Sequence, residues 1–151
     1  MLLVVQISLL PAVAGDMDPR KPSRQDKCPV CGMFVYKYPD WTAQIIFRDG
    51  AVFFFDGAKD FFKFYLEVPK YHAHATTADI TAAYVTEYYN LEMIQAAGAF
   101  YVIGSDVFGP MGRELIPFAS EADAREFMKD HQGKRVLTFS DITAAIIDRL
   151  D

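Results

Sequence analysis

The segment Cys28-Pro-Val-Cys-Gly-Met33 opens the folded domain that we predict over residues 28–151, and it contains both cysteines of the chain. Because the cysteines are three positions apart, one short turn can direct both thiols to the same point. Met33 adds a thioether within reach of that point. Thiolate and thioether sulfurs are soft ligands, which favour Cu(I) over harder cations. The motif therefore predicts a metal site formed by a cysteine-bearing turn.

Two other functions of a Cys-x-x-Cys pair are disfavoured but stay open. A four-ligand zinc site usually has a second cysteine pair or clustered histidines, and no cysteine follows Cys31. A redox-active pair normally begins a helix, whose N-terminus lowers the pKa of the first thiol. Here Gly32 follows directly, and the β-prone Phe34-Val-Tyr36 comes next. A zinc-binding structural module and a thiol–disulfide oxidoreductase that uses Cys28-Pro-Val-Cys31 are therefore the alternatives.

Met111 is a candidate for a further ligand. It lies in Gly109-Pro-Met-Gly112, a turn of residues that permit tight or positive-φ backbone. A long apolar side chain on a loop requires a reason, and a role as a metal ligand or as a gate to the site supplies one. Cys31 and Met33 are thus expected to hold the metal, with Cys28, Met111 or a histidine completing a low-coordinate site that leaves one side open.

The three histidines have different settings. His72 and His74 alternate, so both imidazoles could point the same way if the segment is extended, as a copper or zinc site would need. No cysteine or carboxylate lies near them in sequence, which favours solvated loop histidines. His131 is expected to lie at a helix C-terminus, where a cationic side chain suits the helix dipole.

Composition excludes several function classes. A chain of 151 residues is the length of one domain and can bury about two-thirds of its unfolded surface. Its 13 Phe and 8 Tyr allow an aromatic core. The net charge is −5 and we expect no basic patch, so nucleic-acid binding is disfavoured, because phosphate neutralisation needs clustered cations. No nucleophile elbow, phosphate-cradling loop or patterned pair of carboxylates is apparent, so we expect a binding protein and not an enzyme.

The N-terminus predicts export. Residues 1–13 are nearly all apolar, and Ala12-Val13-Ala14 places small residues where a signal peptidase acts. The run is too short to span a bilayer, although it could instead be a first β-strand. Residues 15–27 are polar, contain two prolines and are predicted to form a linker. No lipid-attachment cysteine follows the apolar run, so we expect a periplasmic protein after cleavage of a signal peptide at 1–14.

The first half is predicted to comprise the cysteine turn, a hairpin and a helix. Ala43–Phe47 and residues 51–55 flank Asp49-Gly50, and Asp-Gly between β-prone segments predicts a hairpin. Asp56 is predicted to cap a helix over residues 57–66, whose aromatic side chains can pack on the hairpin.

The second half is predicted to repeat the order of strand and capped helix. Ser120 followed by Asp123 predicts the cap of a helix over residues 121–131. The other predicted elements are a loop at 68–75, strands at 80–89, 100–103, 115–118 and 135–139, and a last helix at 141–150 that Ser140 caps. The fold class is therefore α+β.

Together these motifs resemble the NosL family, accessory proteins of nitrous oxide reductase. The resemblance covers about residues 27–148. It rests on motifs in a fixed order: Cys28-Pro-Val-Cys-Gly-Met33, the hairpin over 41–55 that ends in Phe-Asp-Gly, Tyr101-Val-Ile-Gly-Ser105, Gly109-Pro-Met-Gly112 and Pro117-Phe-x-Ser120. It implies two related ββα-type halves with antiparallel strands and a treble-clef-like cysteine turn. It also implies an exported Cu(I)-binding metallochaperone that delivers metal for the maturation of a copper–sulfur cluster enzyme.

The resemblance carries over to individual ligands. Cys31 and Met33 match the Cys-x-Met element of the family, Met111 matches its Gly-x-Met-Gly loop, and Cys28 has a counterpart in part of the family. The implied partners are the copper ion and a copper-enzyme apoprotein or its maturation machinery, which includes a membrane-associated partner. Members are often lipoproteins, and this sequence departs from them in showing no lipid-attachment cysteine.

Overall fold

The computed structural model describes residues 17–151 and has two main antiparallel sheets, each with a helix packed against it, and a separate two-stranded sheet. The first sheet has the strand order β2-β1-β3-β4. Its strands are β1 (Ala43–Phe47), β2 (Val52–Phe55), β3 (Ile80–Thr86) and β4 (Met93–Gln95). Every residue of β1 is buried, because this strand pairs with β2 on one side and β3 on the other.

The predicted hairpin between β1 and β2 is confirmed. Asp49 Oδ1 accepts a hydrogen bond from Ala51 N at 2.9 Å, and Gly50 adopts a φ of 89°, a conformation that glycine permits without strain. Helix α1 (Ala58–Leu66) follows β2 directly and packs on both strands of the hairpin. Its buried phenylalanines and those of the hairpin pack against one another in the larger core cluster, which is one reason for the aromatic-rich composition.

The segment after α1 differs from the prediction. Residues 68–75 were expected to form a loop, and they begin with a short helix, α2 (Val68–Tyr71). Pro69 is tolerated there because the first turn of a helix needs no amide donor. Strand β4 was not predicted, and β3 ends at Thr86, three residues earlier than expected, because the chain turns back with Leu91 at a φ of 58°.

The second sheet repeats the arrangement of the first. Its strand order is β8-β5-β9, and the elements of this half are β5 (Phe100–Ile103), β6 (Phe108–Gly109), β7 (Gly112–Arg113), β8 (Ile116–Phe118), α3 (Glu121–Asp130), β9 (Arg135–Thr138) and α4 (Ala144–Ile147). Strands β5 and β8 pair and are followed by α3, as β1 and β2 are followed by α1. The α+β fold with two ββα-type halves is therefore confirmed.

The start of α3 was predicted correctly, whereas that of α4 was not. Ser120 Oγ accepts from Asp123 N at 3.1 Å, which confirms the cap of α3, and His131 lies at its C-terminal end as predicted. The last helix is shorter than predicted. Ser140 lies in a 3-10 turn, and Thr143 occupies the N-cap position of α4.

The polar segment before the cysteine turn lies along the first sheet. Arg20 N donates to Gln44 Oε1 at 2.8 Å, and Gln44 Nε2 donates to Arg20 O at 2.9 Å. Tyr84 OH donates to Met17 O at 2.7 Å. The signal peptide predicted at 1–14 lies outside the described residues. Between residues 17 and 151, no helix has the length and apolar character needed to cross a membrane.

Candidate metal centre

The cysteine turn is closed by its own backbone. Lys27 and Phe34 form an isolated antiparallel bridge, and Cys28 N donates to Met33 O at 2.8 Å inside it. Gly32 N donates to Cys28 O at 2.9 Å, and Gly32 has a φ of 80°. A side chain at this position would be strained, so the glycine of the motif is what allows so tight a turn.

Two carboxylates at the junction between β2 and α1 contact the two thiols. Asp56 follows β2 and Asp60 lies in the first turn of α1, so the short junction between strand and helix brings both carboxylates to the cysteine turn. The Cys28 thiol donates to Asp60 Oδ2 at 3.3 Å, and the Cys31 thiol donates to Asp56 Oδ1 at 3.2 Å. One atom from each of the four residues lies within 4.8 Å of the other three.

Three of the four residues in this cluster are buried. Cys28, Asp56 and Asp60 are buried, whereas Cys31 is partly exposed. Among the described residues, Asp56 Oδ2 is the one buried side-chain oxygen or nitrogen without a hydrogen-bond partner. An unpaired buried acceptor is costly, and a bound cation would satisfy it. The donor set therefore fits a metal ion that enters past Cys31.

Both thiols are held in the protonated form. The pKa of Cys31 is raised to about 12, mainly by burial and also by the carboxylates of Asp60 and Asp56, which accept from the thiol. Burial also raises the pKa of Cys28, with a contribution from the negative charge of Asp60. Because the thiolate is the form that binds metal and reacts with electrophiles, metal entry must displace a proton.

This protonation predicts slow and strongly pH-dependent alkylation. We expect the rate of Cys31 with iodoacetamide to rise about tenfold per pH unit from about pH 8 to about pH 11, because the thiolate fraction grows up to its pKa. Asp56→Asn should accelerate the reaction at pH 8, since it removes a carboxylate that favours the thiol. Mass spectrometry of quenched samples measures both rates. A wild-type rate that levels off near pH 9, the ordinary pKa of a cysteine thiol, would show that the pKa of Cys31 is not raised.

The two candidate methionines are connected to this cluster through different parts of the chain. Met33 is partly buried at the end of the cysteine turn, and its carbonyl closes that turn. Met111 lies in the turn between β6 and β7 and is 43% exposed, so it is not core packing. Its carbonyl accepts from Lys59 Nζ at 3.0 Å, and Lys59 directly precedes Asp60 on α1. The turn that carries Met111 therefore rests on the helix that carries the carboxylates.

Two buried side chains, Lys59 and Glu114, connect the Met111 turn to α1. Both side chains are buried; Glu114 accepts from the backbone amides of Lys59 and Leu115, and burial raises its pKa to about 8. A Cβ atom at Gly57 would lie 2.3 Å from Glu114 Oε2. The glycine of Phe-Asp-Gly is thus required because the second half approaches the start of α1 so closely.

The histidines lie elsewhere. His72 Nε2 contacts Asp49 Oδ2 at 2.9 Å, with the rings of Phe47 and Phe53 beside it. Asp49 precedes β2 and Asp56 follows it, so a strand of about 13 Å separates the two carboxylates. His72 therefore packs at the far end of the hairpin, contrary to the expectation of a solvated loop residue. His74 has a φ of 67° and is exposed.

Sequence reasoning missed both carboxylates. Asp56 was predicted to cap α1, but the N-cap position belongs to Gly57 and makes no side-chain cap bond. The expectation of no patterned pair of carboxylates was also wrong, because Asp56 and Asp60 form one. Their spacing of four was the available signal, and acidic residues are so common at helix starts that it did not stand out.

Known proteins resemble this chain over nearly its whole length. A family model described as NosL matches residues 19–147. The copper-binding lipoprotein NosL of Stutzerimonas stutzeri is 30% identical over 145 residues, which are 95% of this chain and 71% of the relative. The matched region includes the cysteine turn, α1 and the Met111 turn.

Two solved structures share the fold. The crystal structure of the copper chaperone NosL from Shewanella denitrificans superposes with a TM-score of 0.72 at 25% identity, covering 85% of this chain and 98% of the other. The solution NMR structure of apo-NosL from Achromobacter cycloclastes has a TM-score of 0.50 at 30% identity, covering 70% and 87% of the two chains.

Proposed function

Because the chain belongs to the NosL family, we propose that it is an exported Cu(I)-binding metallochaperone that delivers copper for the maturation of a copper enzyme, nitrous oxide reductase. Its relatives are described as a copper-binding lipoprotein and a copper chaperone. The proposed function is therefore binding and transfer of a metal ion, and no residue has a catalytic role.

One observation carries this proposal: the two thiols and two carboxylates converge within 4.8 Å, and one of the thiols is open to solvent. We propose Cys31 as the principal ligand because it is the soft donor on the open side. Met33 and Cys28 are its neighbours in the turn, and Met111 is the ligand that the second half would add. Soft sulfur donors of this kind favour Cu(I).

The arrangement supports transfer by ligand exchange. An incoming donor can reach a metal held by Cys31 without unfolding the turn, because Cys31 is partly exposed while Cys28 is buried beneath it. Once the metal leaves and Cys31 takes up a proton from solvent, its thiol can again donate to Asp56 Oδ1, which lies 3.2 Å away in the metal-free protein. The carboxylates thus stabilise the protonated thiols that the metal must displace and that re-form after transfer.

Metal preference tests the proposal. We expect the reduced protein to bind one Cu(I) more tightly than Zn(II) by at least about two orders of magnitude, or about 2.7 kcal/mol, because its exposed donors are sulfurs. Anaerobic titration against a Cu(I) chelator and a Zn(II) chelator of known affinity measures both constants. Zinc retention equal to or stronger than copper retention would remove the Cu(I) chaperone function.

A zinc site is the second candidate, and the structure gives it a specific argument. Sequence alone showed too few ligands, whereas Asp56 and Asp60 complete a set of two thiolates and two carboxylates, which zinc accepts in tetrahedral sites. Four such groups would carry four negative charges, and Zn(II) neutralises more of them than Cu(I). We therefore expect Cu(I) uptake to release fewer protons than Zn(II) uptake, which calorimetry in buffers of different ionisation enthalpy measures.

Export and the client enzyme complete the proposal. We propose that residues 1–14 are a signal peptide, that residues 15–27 lead into the metal-binding domain at 28–151, and that the protein works in the periplasm. The description of a relative as a lipoprotein supports export. Nitrous oxide reductase follows from family membership, and transfer of copper from the loaded protein to the apo-reductase, compared with aqueous Cu(I), tests it.

A further inference from the structure

The stem of the cysteine turn presents two aromatic rings to solvent. Phe34 is 36% exposed and Tyr36 is 40% exposed, and their ring centroids are 6.2 Å apart. Phe34 directly follows Met33 and pairs with Lys27, the residue before Cys28. Phe34 therefore lies at the base of the turn that carries the two thiols, and Tyr36 packs beside it.

Three cations cover these rings. Lys27 Nζ lies 4.8 Å and Lys37 Nζ 5.8 Å from the Phe34 centroid, and Arg24 Cζ lies 6.0 Å from the Tyr36 centroid. All three cations are exposed, and none has an ion pair within 4.0 Å among residues 17–151. We call these five residues the aromatic–cationic surface.

The charge of this region is opposite to that of the rest of the chain. Residues 20–37 contain five of the fifteen Lys and Arg residues but one of the twenty acidic residues. That one, Asp26, accepts from Ser23 N at 2.5 Å. We expected no basic patch in a chain of net charge −5, but Lys27 and Lys37 meet over the Phe34 ring because the cysteine turn pairs residue 27 with residue 34.

Metal transfer requires that the acceptor contact the protein around the exposed side of Cys31. An acceptor that exchanges ligands with Cys31 must bring its own donor to the open side of the turn, and its surface then meets the residues around that turn. Aromatic and arginine side chains are enriched at protein interfaces, and charge complementarity sets the rate and register of docking. A lipid surface would cover the same entrance and block the exchange.

We propose that the aromatic–cationic surface docks the protein that takes the metal from Cys31, and that the docking face of this acceptor is acidic. This inference rests on the proposed function and adds the chemistry of the partner. The cations steer the acceptor to the open side of the turn, and the rings of Phe34 and Tyr36 are buried when it arrives.

Two peptide acceptors test the proposal. Both contain one Cys-x-x-Cys site for Cu(I); one is flanked by four glutamates and the other by four lysines. We expect transfer to the acidic peptide to be about tenfold faster at low salt, and this difference to disappear at high salt. The triple variant Arg24→Glu, Lys27→Glu and Lys37→Glu should lose or invert the preference. Stopped-flow absorbance measures the rates.

A matched control separates local from net charge. Lys129→Glu, Arg135→Glu and Arg149→Glu change the net charge equally at exposed positions outside the surface, and this variant should keep the wild-type preference. An equal effect of both triple variants, or no preference in the wild-type protein, would overturn the proposal.

Docking is also measured without copper. NMR titration of the metal-free protein with serine versions of the two peptides should shift signals of Phe34 and Tyr36 with the acidic peptide alone. If the protein does not retain Cu(I), the proposed function fails. The titration would still show whether the aromatic–cationic surface binds the acidic peptide. Binding to phosphatidylglycerol vesicles through these cations, with no preference between the peptides, would assign the surface to a membrane and overturn the inference.

Discussion

Replacing Cys31 with serine is expected to abolish tight Cu(I) binding, with a loss of affinity of at least about a hundredfold, or about 2.7 kcal/mol. A serine hydroxyl is a hard donor that stays protonated, so it cannot replace the thiolate on the open side of the turn. The buried core does not depend on Cys31, which is partly exposed. Chelator competition gives the affinity, and circular dichroism shows whether the fold is retained.

Met33→Leu is the matched comparison for this variant. Leucine conserves the volume of methionine but donates nothing to a metal, so we expect a smaller loss, about threefold to tenfold, and an unchanged fold. A Cys31→Ser protein that holds copper with wild-type affinity would show that another residue is the principal ligand, and Cys28 would be the next to replace.

Replacing Lys59 with methionine is expected to destabilise the folded protein by about 2–4 kcal/mol. Lys59 Nζ donates to Met111 O at 3.0 Å and to Leu150 O at 3.3 Å, and the Lys59 side chain is 3% exposed. Methionine keeps most of the apolar stem but leaves both carbonyls without this donor. Denaturant unfolding monitored by tryptophan fluorescence measures the loss.

Lys63 provides the control because it contacts Asp151 Oδ1, the carboxylate oxygen that also lies 3.3 Å from Lys59 Nζ. Lys63 Nζ lies 2.6 Å from Asp151 Oδ1, but its side chain is 25% exposed and has no carbonyl partners among the described residues. Lys63→Met should therefore cost about 0–1 kcal/mol. Equal losses in the two variants would mean that Lys59 contributes only a surface ion pair. Cu(I) affinity should fall in Lys59→Met alone if the Met111 turn belongs to the site.

Sequence patterns correctly predicted a hairpin turn and a helix cap, which depend on contacts between residues close in sequence. The Asp49-Gly50 hairpin and the Ser120 cap were correct because a turn or a cap is made by residues within four positions of each other. Strand β4 was missed because three residues carry almost no periodicity, and its pairing with β3 is a tertiary choice. The last helix was predicted too long, since a 3-10 turn interrupts the segment.

The sequence revealed the thiols of the candidate metal centre but not its carboxylates. The soft donors are adjacent in sequence, so the Cys-x-x-Cys-Gly-Met motif revealed them. The carboxylates reach the thiols across separations of 25 and 32 residues, and no local pattern records such a contact. Lys59 and Glu114 were missed for the same reason, because a buried lysine or glutamate differs from an exposed one only in its tertiary surroundings.

The long separation between thiols and carboxylates has a consequence for the order of events in the cell. An unfolded chain still carries Cys28, Cys31 and Met33 within one turn, so it can chelate a soft ion as a short peptide does. Asp56 and Asp60 join only when the hairpin and α1 have assembled. The soft donors are thus available before folding, whereas the harder carboxylate donors reach them only at folding. Affinity for the unfolded chain also reduces the stability that copper lends to the native state.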